Sequence, residues 1–487
     1  MKLELHPRAR QTLADQLFQA GVEFPCGGET ACGGCKVRVL EGDVPVTATM
    51  RDALSEREIR DGWRLACCAS AAGRVVVEVE QWSLGVLTDE AQVPIEPRAG
   101  LGAAIDLGTT TLVVQVVDLA SGEVVGVETA LNPQARYGAD VMSRLQYDLR
   151  HPGELGRLVR EVLGRMLSGA PGGQPPGGQP LREVLLAGNT AMHHLFCGLD
   201  VEPLTHVPFV SPTLGACRFA DGELGWPGPA EFLPCLGGFV GSDLLCGIVA
   251  THLDEQAQPC ALLDIGTNGE VVVGSAHGIL CASTAAGPAF EGGRISAGMR
   301  AGTGAIDSVH VRDGGLDCHV IGGGAARGIC GSGLVDAAAC GVELGLIGAN
   351  GRLRTADKRL PLDGGVALAQ ADIRELQLAK GAMAAGLSML AAGGVERVCL
   401  AGAFGNYIGQ ASARAIGLLP EDVPVEPVGN SALRGARMLL LTPSTRQFRM
   451  RKVGELSRHI ELAADPGFQH LYAERMALAG YRLIMRR

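Results

Sequence analysis

The sequence predicts an α+β domain followed by a duplicated α/β unit. Three observations carry this. Five cysteines fall before residue 70 and three of them are interleaved with glycines. An apolar strand ending in Asp-x-Gly-Thr occurs twice. A strand ending in Leu-Ala-Gly also occurs twice. The length, 487 residues, fits about three domains at roughly 100–200 residues each. We expect a first domain at 1–87, a linker at 88–100, a first α/β half at 101–255, and a second half with a C-terminal extension at 256–487.

Composition narrows the class. Hydrophobic residues make up 47% and charged residues 19%, so the chain can build cores and is not disordered. The net charge is 42 − 52 = −10 and aromatics are 4%. A general nucleic-acid binder is basic and offers stacking platforms, so no nucleic-acid partner is expected. The first residues carry Glu4 and Asp15 and lack an apolar signal core. The charge-free stretch Val271 to Phe290 is too rich in Gly, Ser and Thr for a membrane span. Fifteen cysteines without a signal point to cytoplasmic thiols or metal ligands rather than disulfides.

The first cysteines stand as Cys26, Cys32 and Cys35, a C-x5-C-x2-C run, with Cys67 and Cys68 following. Plant-type [2Fe–2S] proteins use C-x4-C-x2-C and a distant fourth cysteine. Gly27, Gly28, Gly33 and Gly34 would let backbone N–H groups approach a sulfide-rich cluster. Zinc would favour two paired knuckles, and one is present here; a set of core thiols is the third reading. The run resembles ferredoxins with the longer first gap, which implies a β-grasp domain. Leu65-Ala66-Cys67 matches the run before the last ligand in that family. The resemblance therefore implies Cys26, Cys32, Cys35 and Cys67 as ligands, with Cys68 the competitor for the last place. The ten later cysteines read as small buried hydrophobes.

Thr88 to Arg98 is polar with two prolines and reads as an extended linker. Gly169 to Pro180, rich in Gly, Pro and Gln, reads as a tolerated loop. Between and after them lies the repeat. Asp106-Leu107-Gly108-Thr109-Thr110 recurs 158 residues later as Asp264-Ile265-Gly266-Thr267-Asn268. Leu185-Leu186-Ala187-Gly188 recurs 214 residues later as Cys399-Leu400-Ala401-Gly402. Two such pairs imply two similar halves with a nucleotide between them. The Gly and Thr groups can wrap phosphate oxygens, and Asp106 and Asp264 can hold Mg²⁺ or its waters.

This pattern resembles the acetate and sugar kinase, Hsp70 and actin superfamily, whose halves are ribonuclease H-like. The resemblance implies an ATPase in which Asp106, Gly108, Thr109 and Thr110 form the first phosphate loop. Asp264, Gly266, Thr267 and Asn268 would form the second. Gly402, Ala403 and Phe404 fall on the adenosine motif, and Gly331, Ser332 and Gly333 on a connecting segment.

A ferredoxin fused to this ATPase fold is a rare pairing. With the runs Asn132 to Asp140 and Ala286 to Gly292, the chain resembles the reductive activators of corrinoid proteins. That implies a [2Fe–2S] cluster, ATP and Mg²⁺ as cofactors. It implies a corrinoid protein as one partner and an electron-donating reductase as another, and it leaves a homodimer open. Members can carry an extra domain after the ferredoxin; Cys67 and Asp106 are separated by 38 residues, so here it is absent or reduced to the linker. The implied reaction passes one electron to Co(II) and restores Co(I). Plant-type clusters lie near roughly −400 mV, and about 59 mV is a tenfold change for one electron. A gap of a few hundred mV therefore needs several kcal/mol, which nucleotide-linked closure would supply.

Two other functions fit the same motifs: a small-molecule kinase with a redox-sensing ferredoxin, and a nucleotide- and redox-sensing regulator. His193 and His194, after the Gly188-Asn189-Thr190 turn, read as helix-packing or surface histidines. Seven basic residues between Arg434 and Arg458 read as a solvated face, or as a docking patch for an acidic corrinoid protein.

Overall fold

A computed structural model describes residues 2–7, 13–19, 35–71, 73–79, 92–138, 140–168, 181–266 and 268–483. Cys26, Cys32, the four glycines beside them, Thr267 and the 169–180 loop lie outside the described residues, as does the start of the linker. The chain forms two compact units. The first takes Met1–Gly85, Ala135–Ala139 and Pro288–Leu376; the second takes Val86–Gln134, Asp140–Gly287 and Gln377–Arg487.

The first unit opens with strands β1 (Lys2–Leu5), β2 (Lys36–Glu41), β3 (Trp63–Leu65) and β4 (Val75–Glu78). They form an antiparallel sheet in the order β1-β4-β2-β3. Alternation in β2 and β4 sends Val37, Val75 and Val77 into a core with Leu5, Met50 and Leu65. Two short helices cover it, Ala48–Ala53 and Glu56–Arg60. Thr47 caps the first by accepting from Met50 N. Ser55 and Glu58 close a reciprocal capping box on the second.

In the second unit the chain lays down β5 (Leu101–Leu107), β6 (Thr111–Asp118), β7 (Val124–Leu131), β8 (Leu181–Gly188), β9 (Cys217–Phe219) and β10 (Ala230–Phe232). The sheet order is β7-β6-β5-β8-β10-β9. β6 is antiparallel to β5, while β8 is parallel to β5 and β10 to β8. β11 (Cys260–Ile265), β12 (Gly269–Ser275) and β13 (Gly278–Thr284) begin the second copy. The chain then enters the first unit. There β14 (Ala305–Arg312), β15 (Gly315–Val320) and β16 (Gly328–Ile329) form one sheet, and β17 (Arg359–Pro361) and β18 (Ala367–Ala369) pair beside it in sequence. It returns for β19 (Val398–Ala401), β20 (Val425–Gly429) and β21 (Ser457–His459). The second large sheet reads β20-β19-β11-β12-β13-β21.

Read from the third strand of each half, both sheets run third, second, first, and then two parallel strands, β8 and β10 in one and β19 and β20 in the other. The same antiparallel and parallel pairings recur. The repeat seen in the motifs is thus a repeat of topology. β5 and β11 are central strands buried almost throughout, as near-continuous apolar runs must be.

One core joins the halves. Leu185, Leu244, Ile248, Leu262, Val272, Leu433 and Leu439 belong to a single buried cluster. Its middle is the crossing of helices Ser242–Thr251 and Ser431–Leu441. A Cβ on Gly435 would lie 2.0 Å from the Cys246 carbonyl oxygen. The missing side chain is what lets the backbones approach.

The later linker is fixed to this unit. Glu96 N donates to Leu441 O at 2.8 Å, and the Glu96 carboxylate accepts from Ser444 N at 3.1 Å. Arg98 pairs with Glu183 at 3.0 Å. The basic stretch is also spent inside the unit, which corrects both the solvated-face and docking-patch expectations for most of it. Arg437 and Arg446 are 2% and 7% exposed. Arg446 pairs with Glu183 at 2.6 Å, Arg449 with Glu255 at 3.2 Å and Lys452 with Asp254 at 2.9 Å. Among the described residues no helix is long and apolar enough to cross a membrane.

Gly435→Ala should lower stability by about 1–3 kcal/mol, because the added methyl meets backbone rather than a movable side chain. Gly454→Ala is the control: nothing lies within 4 Å of its Cβ position, so the better helix propensity should raise stability slightly. Urea midpoints of the two variants check this.

Candidate nucleotide and cluster sites

Asp106 ends β5 and Asp264 ends β11, each beside the parallel strand that carries the Leu-Ala-Gly motif. Asp106 is level with Ala187 and Asp264 with Ala401. Two further carboxylates join them. Glu270 sits directly opposite Asp264 in the β11–β12 ladder. Asp243 lies in the first turn of helix Ser242–Thr251. Asp243 is close enough to Asp106 and Asp264 for their charges to raise its pKa, and Glu270 feels Asp243 and Asp264. Burial is the larger cause throughout. It pushes Asp106 up to about 6, and Asp243 and Asp264 up to about 7. Glu270 is raised as well and is buried. Asn430 Nδ2, at the cap of helix Ser431–Leu441, donates to Asp106 Oδ2 at 2.9 Å. Four crowded carboxylates are a donor set for a hydrated hard cation, so the residues fit Mg²⁺.

The first turn is braced from three sides. Gly108 N donates to Thr111 O at 3.1 Å. Asn132 Nδ2 donates to Gly108 O at 2.9 Å, and Asn132 N donates to Thr110 O at 2.9 Å. Arg144 Nη1 donates to Thr109 O at 2.5 Å, and Asn189 Nδ2 donates to Thr109 Oγ1 at 2.8 Å. Asn189 also caps helix Thr190–Cys197 through Met192 N. The second turn closes through Gly266 N to Asn268 O at 3.3 Å; Thr267 lies outside the described residues. Gly402 holds φ +86°, and a Cβ there would lie 2.8 Å from Asp264 Oδ1. Only glycine combines that backbone with that approach. It opens the short helix Gly402–Tyr407, which holds Phe404; the Ala403 side chain is outside the described residues.

Gly331, Ser332 and Gly333 belong to the first unit and open helix Gly331–Glu343 there. Ser332 Oγ donates to Asp307 O at 2.8 Å. Gly333 has a packing reason of its own, since a Cβ would meet the Ile306 carbonyl oxygen at 2.2 Å.

For the cluster, Cys35, Cys67 and Cys68 are described. Ala66 N donates to Cys35 O at 2.9 Å, which folds the Leu65-Ala66-Cys67 run back over Cys35. Cys67 N then donates to Cys35 Sγ at 3.5 Å. Backbone N–H groups aimed at cysteine sulfur are the environment an iron–sulfur cluster requires, so these two residues fit one. Cys68 faces other partners: its thiol donates to Leu65 O at 3.7 Å and lies 3.7 Å from Thr47 Oγ1. Burial raises its pKa, which keeps it a thiol.

Sequence reasoning missed Asp243, Asn430 and the partnership of Glu270. Glu270 stood inside the second motif without a role. Asp243 stands two residues after Gly241, in the first turn of a helix, and Asn430 follows Gly429 as the cap of the corresponding helix in the second half. That correspondence is the signal that could have found both.

The raised carboxylates give a signed pH dependence. The folded state binds more protons than the unfolded state from about pH 4 up to about 7. Stability of the metal-free protein should therefore fall as pH rises through that window. Thermal unfolding at pH 5 and pH 8 should show a larger loss for the wild type than for Asp243→Asn, and Mg²⁺ should recover part of it at pH 8. For the cluster, Cys67→Ser should lose iron and visible absorption while Cys68→Ser keeps both.

Three family models tile the chain. A 2Fe-2S iron–sulfur cluster binding domain matches residues 2–72, the RACo middle region matches 101–256, and the C-terminal domain of RACo, the ASKHA domain, matches 258–485. The corrinoid activation enzyme RamQ of Eubacterium limosum is 34% identical over 416 residues, 76% of this chain and 69% of that one. A Co(II) methylated amine-specific corrinoid protein reductase of Methanosarcina barkeri is 26% identical over 426 residues, 76% of each chain. The solved structure of a reductive activator for a corrinoid, iron–sulfur protein superposes with a TM-score of 0.68 at 25% identity, covering 98% of this chain and 97% of that one. The N-terminal ferredoxin domain and the kinase-type ATPase fold are both confirmed, and the chain belongs to the family of reductive activators of corrinoid proteins.

Proposed function

We propose that this chain is an ATP-dependent activator that delivers one electron to the Co(II) of a corrinoid protein and restores Co(I) for methyl transfer. When bound, the [2Fe–2S] cluster supplies the one-electron couple and MgATP supplies the driving force. The observation that carries the reading is the facing pair Asp106 and Asp264, each ending the central strand of its half and joined by Asp243.

Each residue then has a task. Cys26, Cys32, Cys35 and Cys67 hold the cluster, and Cys67 N tunes the Cys35 sulfur by donating to it. Asp106, Asp243 and Asp264 would hold Mg²⁺, whose charge would offset their mutual repulsion. Gly108, Thr109 and Thr110 would bind the phosphates from the first half, and Gly266 and Asn268 from the second, with Thr267, which lies outside the described residues, assigned to the same turn by its motif. Asn132, Arg144 and Asn189 keep the first turn in shape. Gly402, Ala403 and Phe404 support the adenosine. A nucleotide favours Co(I) formation only as far as it binds one arrangement of these halves better than another.

An upstream reductase of low potential feeds the cluster in this reading. In this reading the placement is cytoplasmic, which accords with described cysteines that stand outside any disulfide.

Asp264→Ala should abolish ATP-dependent Co(I) formation and leave reduction of the cluster intact. The Co(I) absorption band, followed with Co(II) corrinoid protein, reductant and ATP, reads the first; bleaching of the cluster absorption reads the second. A variant that still forms Co(I) with ATP at the wild-type rate overturns the assignment. A phosphorylated small-molecule product would favour a kinase instead.

A further inference from the structure

Helix Thr190–Cys197 carries two side chains that the nucleotide reading leaves unused. His193 and Cys197 are four residues apart and so share one face. Strand β9 brings Cys217 to the same place. A ring nitrogen of His193 and the two sulfurs all lie within 4.8 Å of one another. Cys217 Sγ is 3.5 Å from His193 Nε2. Zinc bonds of about 2.3 Å to sulfur and about 2.0–2.1 Å to nitrogen, at a tetrahedral angle, span an edge of about 3.5 Å. The thiol and imidazole already stand at that separation.

The surroundings suit an ion as well. His193 is fully buried against Phe232, their ring centroids 5.0 Å apart. Among the described residues its Nδ1 has no hydrogen-bond partner, and the Gly215 backbone approaches the ring. Eight other described cysteines are buried, but Cys197 and Cys217 are partly open, which gives an ion a way in.

We propose that His193, Cys197 and Cys217 form a site for a thiophilic divalent ion of the zinc class, with a fourth position open to water. The site sits on the helix whose cap, Asn189, holds Thr109 of the first phosphate turn.

The test uses the full chain with its iron–sulfur cluster loaded. Incubation with Zn²⁺ and removal of free metal should leave one zinc equivalent with no loss of iron. Cys197→Ser and Cys217→Ser should each lose the zinc with the cluster absorption unchanged. Co²⁺ offered to the wild type should give a thiolate charge-transfer band, a readout that needs no variant. Wild-type protein that retains no zinc and shows no such band overturns the proposal, as does zinc retention at the wild-type level by both variants. A Cys197–Cys217 disulfide in protein isolated without oxidant would do the same and would assign the pair to redox chemistry.

Discussion

The repulsion among Asp106, Asp243, Asp264 and Glu270 is the constraint around which the second unit is arranged. Burial raises their pKa values most, and the neighbouring like charges add to this. The strand order puts the two motif aspartates at the ends of central strands, where no neighbouring strand end can be moved independently. The close helix crossing at Gly435 holds the halves that carry them. A cation that binds this set favours the folded, assembled state over the unfolded chain, by an amount that grows with its concentration relative to its dissociation constant.

The turns around that centre are braced by neutral groups. Asn132, Asn189 and Asn430 donate amide hydrogens to carbonyl, hydroxyl and carboxylate oxygens. Amides fix geometry without neutralising the carboxylates. The negative charge therefore stays available to a metal ion, while Arg144 braces the first turn through the Thr109 backbone carbonyl.

What was legible in the sequence was local. Asp106 and Asp264 announce themselves because each sits in a turn of adjacent residues, and the turn is repeated. The ferredoxin domain was legible from cysteine spacing for the same reason. Asp243 was not, because its meaning comes from a strand-to-helix junction far from either motif. Glu270 acquires its role from the Asp264 register of an antiparallel ladder, which no periodicity reveals. Gly333 was read on a connecting segment of the ATP site, and the structure adds a packing reason for it: a carbonyl of β14 fills the space its side chain would take. Arg446 and Glu183 stand 263 residues apart in sequence, so their pairing was invisible and the tail read as free positive charge.

That pairing bears on how a partner is met. Diffusional encounter is accelerated when a charged patch of one sign projects its field into solvent. Arg446, Arg449 and Lys452 direct theirs at acids of their own unit, and the chain as a whole carries −10. Through this tail, an acidic protein would be drawn in weakly, and added salt would change its on-rate little. Recognition on this face would rest on shape and desolvation at short range, with orientation found after collision rather than before it.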